Sequence, residues 1–156
     1  MASGLAGIGF ATLVVVGFTA CVEFGSYAFV HPVIRRLPAR EHIVVEQGLL
    51  RTFGRIMPVL MPVSVILMLI WTLLLDSDAG TARPVAWVGF AFLAAAVLIT
   101  LIVNVPINAA TGRWDAENPP ADWREIRRRW ELFQGVRSWL LLGGFVWLCL
   151  AVALQF

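Results

Sequence analysis

Four long apolar stretches constrain the fold of this chain more than any other feature of its sequence. They predict spans at about residues 4–30, 43–75, 84–110 and 136–156. The apolar stretches themselves, at 4–30, 56–75, 84–112 and 138–156, contain a single charged residue, Glu23. A bilayer core about 30 Å thick requires about 20 apolar residues per helix. The sequence therefore predicts an all-α fold, an integral membrane four-helix bundle that forms one domain over residues 1–156.

The charged residues are too few for a water-soluble protein. They make up 14% of the chain, whereas 60% of its residues are hydrophobic; soluble domains carry about 25% charged residues. This excludes an ordinary soluble enzyme and a disordered tail, and the net charge of only +2 excludes a nucleic-acid binder. Cys21 and Cys149 lie in apolar runs and indicate neither a disulfide framework nor a zinc site.

The distribution of arginine predicts the orientation in the membrane. All 12 basic residues are arginine, and all but Arg83 lie beside the first and third connections. The positive-inside rule places these connections in the cytoplasm, with both termini and the turn at 76–83 outside, as in a bacterial inner-membrane protein. Residues 123–137 predict an amphipathic interfacial helix before the fourth span. Four tryptophans predict an aromatic belt at the interface: Trp114, Trp123, Trp130 and Trp139.

Glu23 is the polar residue of the first span that most needs an explanation. A carboxylate in lipid is costly unless it is paired, protonated or directed into a polar cavity. One interpretation is a functional group that contacts a proton or a substrate. The other is a structural ion pair with Arg51 or Arg55.

Histidine and glutamate give a second candidate group. His42 and Glu46 are four residues apart and share a helical face, so the carboxylate can orient the imidazole. His31 is the only other histidine. His31, His42 and Glu46 form a candidate metal-binding set, with Glu23 as a fourth candidate, and His31 or His42 is a candidate cofactor ligand to haem. The alternative is a pair at the lipid headgroups.

Polar residues of the last two spans complete a predicted pocket. Asn104 and Asn108 share one face, and they either bond helices together or bind a substrate oxygen. Arg137 is predicted to anchor an anionic oxygen or, alternatively, to pair with Glu131 or a phospholipid. The predicted topology directs polar residues of all four helices toward one pocket at the cytoplasmic leaflet: Glu23, His31, His42, Glu46, Gln47, Arg51, Asn104, Asn108 and Arg137.

The second half of the chain resembles a known family. The sequence Asn104-Val-Pro-Ile-Asn108 is followed by Trp114, by Pro119-Pro120-Ala-Asp-Trp123 and by Arg128-Arg129-Trp130-Glu131 before Arg137. This order of residues resembles the signature of the anthrone oxygenase family of small four-span membrane proteins. The resemblance implies an oxygenase that uses dioxygen to convert the central methylene of a polyketide anthrone into a carbonyl. Many relatives carry a histidine where this chain has Gln134, so the substrate does not transfer.

A mechanism follows as a hypothesis from these residues. His42, oriented by Glu46, removes a proton from an activated carbon, and Asn104, Asn108 and Arg137 stabilise the enolate oxygen. Three interpretations of the cofactor remain: dioxygen alone, haem or a redox metal. The expected partners are the lipid bilayer and a small aromatic or polyketide-like metabolite. A second copy of the chain, in a homo-oligomer, is a further candidate partner. The alternatives are other redox or nitrogen chemistry in the same pocket, a permease and a non-catalytic structural subunit.

Overall fold

Four helices account for nearly all of the chain in the computed structural model, which describes residues 2–76 and 80–155. Helix α1 comprises Ala2–Gly25, a π-helical turn at Ser26–Val30 and a last turn at His31–Ile34. Helix α2 is Ala39–Leu74. Helix α3 comprises Ala82–Ile99, a π-helical turn at Thr100–Asn104 and Val105–Thr111. Helix α4 is Trp123–Ala153.

The described residues contain no strand, so the predicted all-α four-helix architecture is confirmed. Each of the four helices is long and apolar enough to cross a membrane. Their outer surface is apolar: Phe29, Ile102 and Phe10 are 75%, 73% and 69% exposed. Such a surface is typical of a protein that faces lipid. The predicted outward turn at 76–83 includes residues 77–79, which lie outside the described residues.

Prolines explain the two π-helical turns. Pro32 and Pro106 each follow a π-helical turn by two residues. Proline has no N–H to offer the carbonyl four residues before it, and its ring clashes with that carbonyl. The carbonyls concerned belong to Ala28 and Ile102, which lie within the π-helical turns, and the wider turn accommodates the mismatch. Helix α2, in contrast, continues through its internal prolines.

The predicted amphipathic segment is present, but it is not a separate helix. Residues 123–137 are the first turns of α4, which continues into the apolar part without a break. The interpretation of Trp130 as an interfacial residue is wrong, because its side chain is 5% exposed and packs inside the bundle. Trp139, in contrast, is 58% exposed.

Small residues allow α3 and α4 to pack closely. A Cβ atom added to Gly89 would lie 3.2 Å from the carbonyl oxygen of Gly144, so the two backbones are almost in contact. Gly143 likewise packs against Phe92 of the same chain. These glycines therefore serve packing within the chain, while a homo-oligomer stays a prediction.

Polar groups are divided unequally along the bundle. In the half away from the arginine-rich connections, the buried hydroxyls of Thr12, Thr19 and Thr72 each donate to the carbonyl four residues earlier in the same helix. These hydroxyls are satisfied by their own helices. The buried carboxylates, histidines and arginines all lie in the other half, where the helices enclose a cavity.

Candidate functional site

A cavity of about 170 Å³ lies between the four helices in the polar half of the bundle. We call it the inner cavity. Its polar lining residues come from α1, α2, α3 and α4: Glu23, Ser26, His31, Glu46, Thr100, Asn108, Gln134 and Arg137. Its apolar lining includes Phe53, Met57 and Met61 of α2. A cavity of this size holds an aromatic ring.

The inner cavity opens between α2 and α3. Gly54, Pro58 and Pro62 line it from α2, and Leu101 and Val105 line it from α3. All five are also exposed on the outer surface of the bundle. The spacing of four residues places each set along one helical face. The opening is therefore apolar and lies on the side of the bundle rather than at its end.

Glu23 is paired inside the cavity, but not with the arginines named from the sequence. Its Oε2 atom accepts from Nη2 of Arg137 at 2.7 Å and from Nε2 of Gln134 at 2.9 Å. Arg51 and Arg55 are exposed, so the predicted pairing with them is wrong. The Oε1 atom of Glu23 is buried and has no hydrogen-bond partner among the described residues.

Arg137 is fixed by two contacts besides its position on α4. Its Nη2 atom binds Glu23, and its Nη1 atom donates to the hydroxyl of Thr100 at 3.3 Å. Its predicted alternative partner, Glu131, instead pairs with Arg35 at 2.8 Å. Arg137 therefore connects α1, α3 and α4 at the wall of the inner cavity.

A second buried carboxylate, Glu46, is the meeting point of three basic side chains. Its Oε1 atom lies 2.5 Å from Nη2 of Arg127, 3.6 Å from Nδ1 of His31 and 3.8 Å from Nε2 of His42. Arg127 is 2% exposed, and its guanidinium lies 4.2 Å from the ring centre of Trp130. The ring of His31 packs against the same indole, with centroids 4.8 Å apart.

The two histidines differ in what they face. His31 lines the inner cavity, whereas His42 does not. The Nδ1 atom of His42 contacts the carbonyl oxygen of Ile34 at 3.1 Å, and its ring packs against Trp123. Both histidines have Glu46 beside them, but only His31 also faces the inner cavity; His42 lines a second cleft at the arginine-rich end of the bundle.

The candidate metal ligands share their meeting point with an arginine. Among the described residues, no group of three or more His, Cys, Asp or Glu side chains could hold a metal ion. His31, His42 and Glu46 do converge, but Arg127 contacts the same carboxylate oxygen at the shortest distance. The point where the ligands would meet a metal is therefore already next to a positive charge.

The remaining predicted residues divide between the cavity and the helix contacts. Asn108 lines the inner cavity, and its Oδ1 atom has no partner within the described part of the chain. Asn104 is fully buried and donates to the carbonyl oxygen of Trp130, 3.3 Å away, so it bonds α3 to α4. Gln47 donates to the carbonyls of Thr111 and Trp114 and fixes the segment after α3.

Sequence reasoning missed Arg127 and underrated Gln134. Both belong to one face of α4, on which the buried residues Arg127, Trp130, Gln134 and Arg137 follow one another at intervals of three or four. That spacing is the signature of a buried helical face. The same spacing also fits the polar side of a surface helix, which is why the sequence alone predicts an interfacial segment here.

Comparison with known proteins adds the family. The model of the family described as anthrone oxygenase matches residues 49–147, which include Asn104, Asn108, Gln134 and Arg137 but not Glu23, His31 or Glu46. No curated protein and no solved structure matches the chain. The matched residues cover well over half of the sequence, and the motifs described above resemble those of the same family. The chain therefore belongs to the anthrone oxygenase family.

Proposed function

We propose that this protein is a membrane oxygenase that converts an acidic methylene of an aromatic ketone into a carbonyl, using dioxygen. The reaction consumes one dioxygen and releases one water per methylene oxidised. The observation that carries the proposal is the contact between Glu46 and His31 at the wall of the inner cavity, where His31 has substrate space in front of it. Family membership supports the same type of reaction.

His31 is assigned the role of general base in place of His42. Its Nδ1 atom faces Glu46, which leaves Nε2 to accept a proton from the substrate. The distance of 3.6 Å to Glu46 is longer than a hydrogen bond, and such contacts often shorten when substrate binds. Arg127 contacts the same oxygen of Glu46 and fixes the carboxylate, which is placed to orient the imidazole as it takes up the proton.

The other polar groups of the cavity are suited to the substrate oxygens. Removal of the proton places negative charge on the ketone oxygen, and the amide of Asn108 and the guanidinium of Arg137 are available to stabilise it. The Oε1 atom of Glu23 has no partner among the described residues and can accept a hydrogen bond from a phenol.

The carbanion then reduces dioxygen. A carbon–oxygen bond forms, and the protonated His31 returns its proton to the distal oxygen, which gives a hydroperoxide. Loss of the second hydrogen of the same carbon as a proton breaks the O–O bond and expels hydroxide. Hydroxide takes up that proton, so the products are the carbonyl and one water. Because the carbanion supplies the electrons, this sequence requires no further reductant.

The opening between α2 and α3 supports a lipophilic substrate. Its lining is apolar, and it lies on the side of helices that are apolar enough to cross a membrane. Dioxygen and an aromatic ketone both partition into lipid, so both can reach the cavity from the bilayer. A fused three-ring ketone exceeds a cavity of about 170 Å³, and we propose that its outer ring remains in this opening. The arginine-rich end is proposed to face the cytoplasm.

The two histidines provide a matched test. Purified protein in lipid nanodiscs is assayed for dioxygen uptake and carbonyl product with anthrone, after subtraction of autoxidation. Replacing the general base should lower kcat/KM about 10²–10⁴-fold in His31→Gln. His42→Gln, which alters a histidine outside the inner cavity, should change it less than about tenfold. Thermal unfolding of both variants controls for loss of folding.

Two results would contradict the proposal. Full activity in His31→Gln, or a large loss confined to His42→Gln, would remove His31 from the role of base. If the parent protein does not accelerate dioxygen uptake by anthrone or by smaller phenolic ketones, the oxygenase function itself is wrong. A structural subunit predicts the second result together with reduced unfolding temperatures for both variants.

A further inference from the structure

A second cleft lies at the arginine-rich end of the bundle, between the α1–α2 connection and the first turns of α4. Its volume is about 630 Å³. We call it the basic cleft, because five of the residues that line it are arginines: Arg35, Arg36, Arg124, Arg127 and Arg128. None of these five lines the inner cavity, and the proposed oxidation gives the cleft no ligand.

The positive charge of the basic cleft is only partly neutralised. Arg35 pairs with Glu131 and Arg127 pairs with Glu46. The other three arginines have no carboxylate within 4.0 Å among the described residues. Like charges held together in a cleft raise the local potential and attract an anion.

Arg127 gives the cleft a fixed, buried donor. It is 2% exposed, lies against the ring of Trp130 and is fixed by Glu46 through Nη2. Its Nε and Nη1 atoms are buried and have no hydrogen-bond partner in the described part of the chain. A buried donor without an acceptor costs about 1–3 kcal/mol. A ligand with acceptor oxygens would remove this cost and leave the contact with Glu46 in place.

We propose that the basic cleft binds a phosphate-type oxyanion. Phosphate presents several acceptor oxygens, and guanidinium groups match its geometry and charge better than any other side chain does. The cleft adjoins the points where α1 ends and α2 and α4 begin, at the ends of the apolar helices. The same chemistry is offered by the headgroup of an anionic lipid and by a soluble phosphate ester.

The test measures protection against thermal unfolding, so it does not depend on the oxygenase reaction. Full-length protein in phosphatidylcholine nanodiscs is titrated with inorganic phosphate, with chloride at equal ionic strength as the control. A second series replaces part of the phosphatidylcholine by phosphatidic acid. A ligand that binds only the folded state raises the unfolding temperature as its concentration increases.

Two double variants separate a built site from general surface charge. Arg36→Gln with Arg128→Gln removes two exposed arginines of the cleft, whereas Arg113→Gln with Arg129→Gln removes two exposed arginines outside it. Loss of two charge-assisted hydrogen bonds should raise the phosphate or phosphatidic acid concentration needed for protection at least about tenfold in the first double variant. The second double variant should behave like the parent.

The outcomes are decisive in both directions. Protection of the parent that is lost only in the cleft variant supports the site, and a response to phosphatidic acid alone identifies the lipid headgroup as its source. Protection by inorganic phosphate as well shows that the phosphate group suffices without a lipid, as a soluble ligand requires. No protection of the parent by either anion, or equal loss in the two double variants, would overturn the proposal.

Discussion

The buried pair of Glu23 and Arg137 gives the sharpest prediction for stability. The two side chains are 1% and 8% exposed, and they are 2.7 Å apart. Glu23→Gln leaves a buried guanidinium whose one other hydrogen bond within residues 2–76 and 80–155 is to Thr100. Removing one partner of such a pair costs about 3–5 kcal/mol, because the remaining charge stays out of water. Arg137→Met should cost as much.

Removing both charges should recover most of this loss. Buried ion pairs replaced by neutral groups of similar volume are often no less stable, so the double variant Glu23→Gln with Arg137→Met should be more stable than either single variant. The matched control is Arg35→Gln, which breaks the pair with Glu131. Arg35 is 59% exposed, and its loss should cost less than about 1 kcal/mol.

Equilibrium unfolding in mixed micelles, with an increasing fraction of denaturing detergent, measures all four variants. The coupling free energy is the difference between the double variant and the sum of the two single variants. A double variant as unstable as that sum would show that the two charges do not depend on each other. A loss of less than about 1 kcal/mol in Glu23→Gln would show that water reaches this pair, and the reasoning from burial would be refuted.

Two further predictions concern packing and the connection after α3. Gly144→Ala should cost about 1–3 kcal/mol in the same unfolding assay, because its Cβ would lie 3.2 Å from the carbonyl oxygen of Gly89. The control is Gly48→Ala, where nothing lies within 4 Å of the added Cβ, and this variant should be neutral or slightly more stable. Gln47→Met removes the hydrogen bonds that this side chain donates to Thr111, at the end of α3, and to Trp114 after it, so limited proteolysis of residues 112–122 should become faster. Unchanged proteolysis would show that other contacts fix this segment.

The fold could be predicted from the sequence because the decisive signal is local. Each apolar stretch is long enough to predict a membrane-spanning helix without reference to the rest of the chain. The start of α4 at Trp123, after the Pro119-Pro120 turn, also follows from local residues. The course of residues 123–137 does not, because the same amphipathic pattern suits a surface helix and a helix whose polar face closes a cavity.

The position of His31 shows why the site was only partly predictable. On a regular α-helix, eight residues turn about 800°, so His31 would lie about 80° away from Glu23. The π-helical turn at Ser26–Val30 rotates less per residue and brings both side chains to the same cavity. Spacing alone therefore favoured His42, which shares a face with Glu46 and does approach it at 3.8 Å, but on the side away from the cavity.

Gln134 bears on which group of the inner cavity can act as the base. An amide cannot act as a base, and its Nε2 atom donates to Glu23, which is itself bound by Arg137. The proposed proton transfer is then assigned to another group of the inner cavity, because one oxygen of Glu23 is already occupied by Arg137 and Gln134. His31 is the one histidine of the chain that lines the inner cavity, and its Nδ1 atom lies 3.6 Å from the carboxylate of Glu46. Gln134, where the family resemblance leads us to expect a histidine, is therefore compatible with base catalysis here, provided that the base comes from α1.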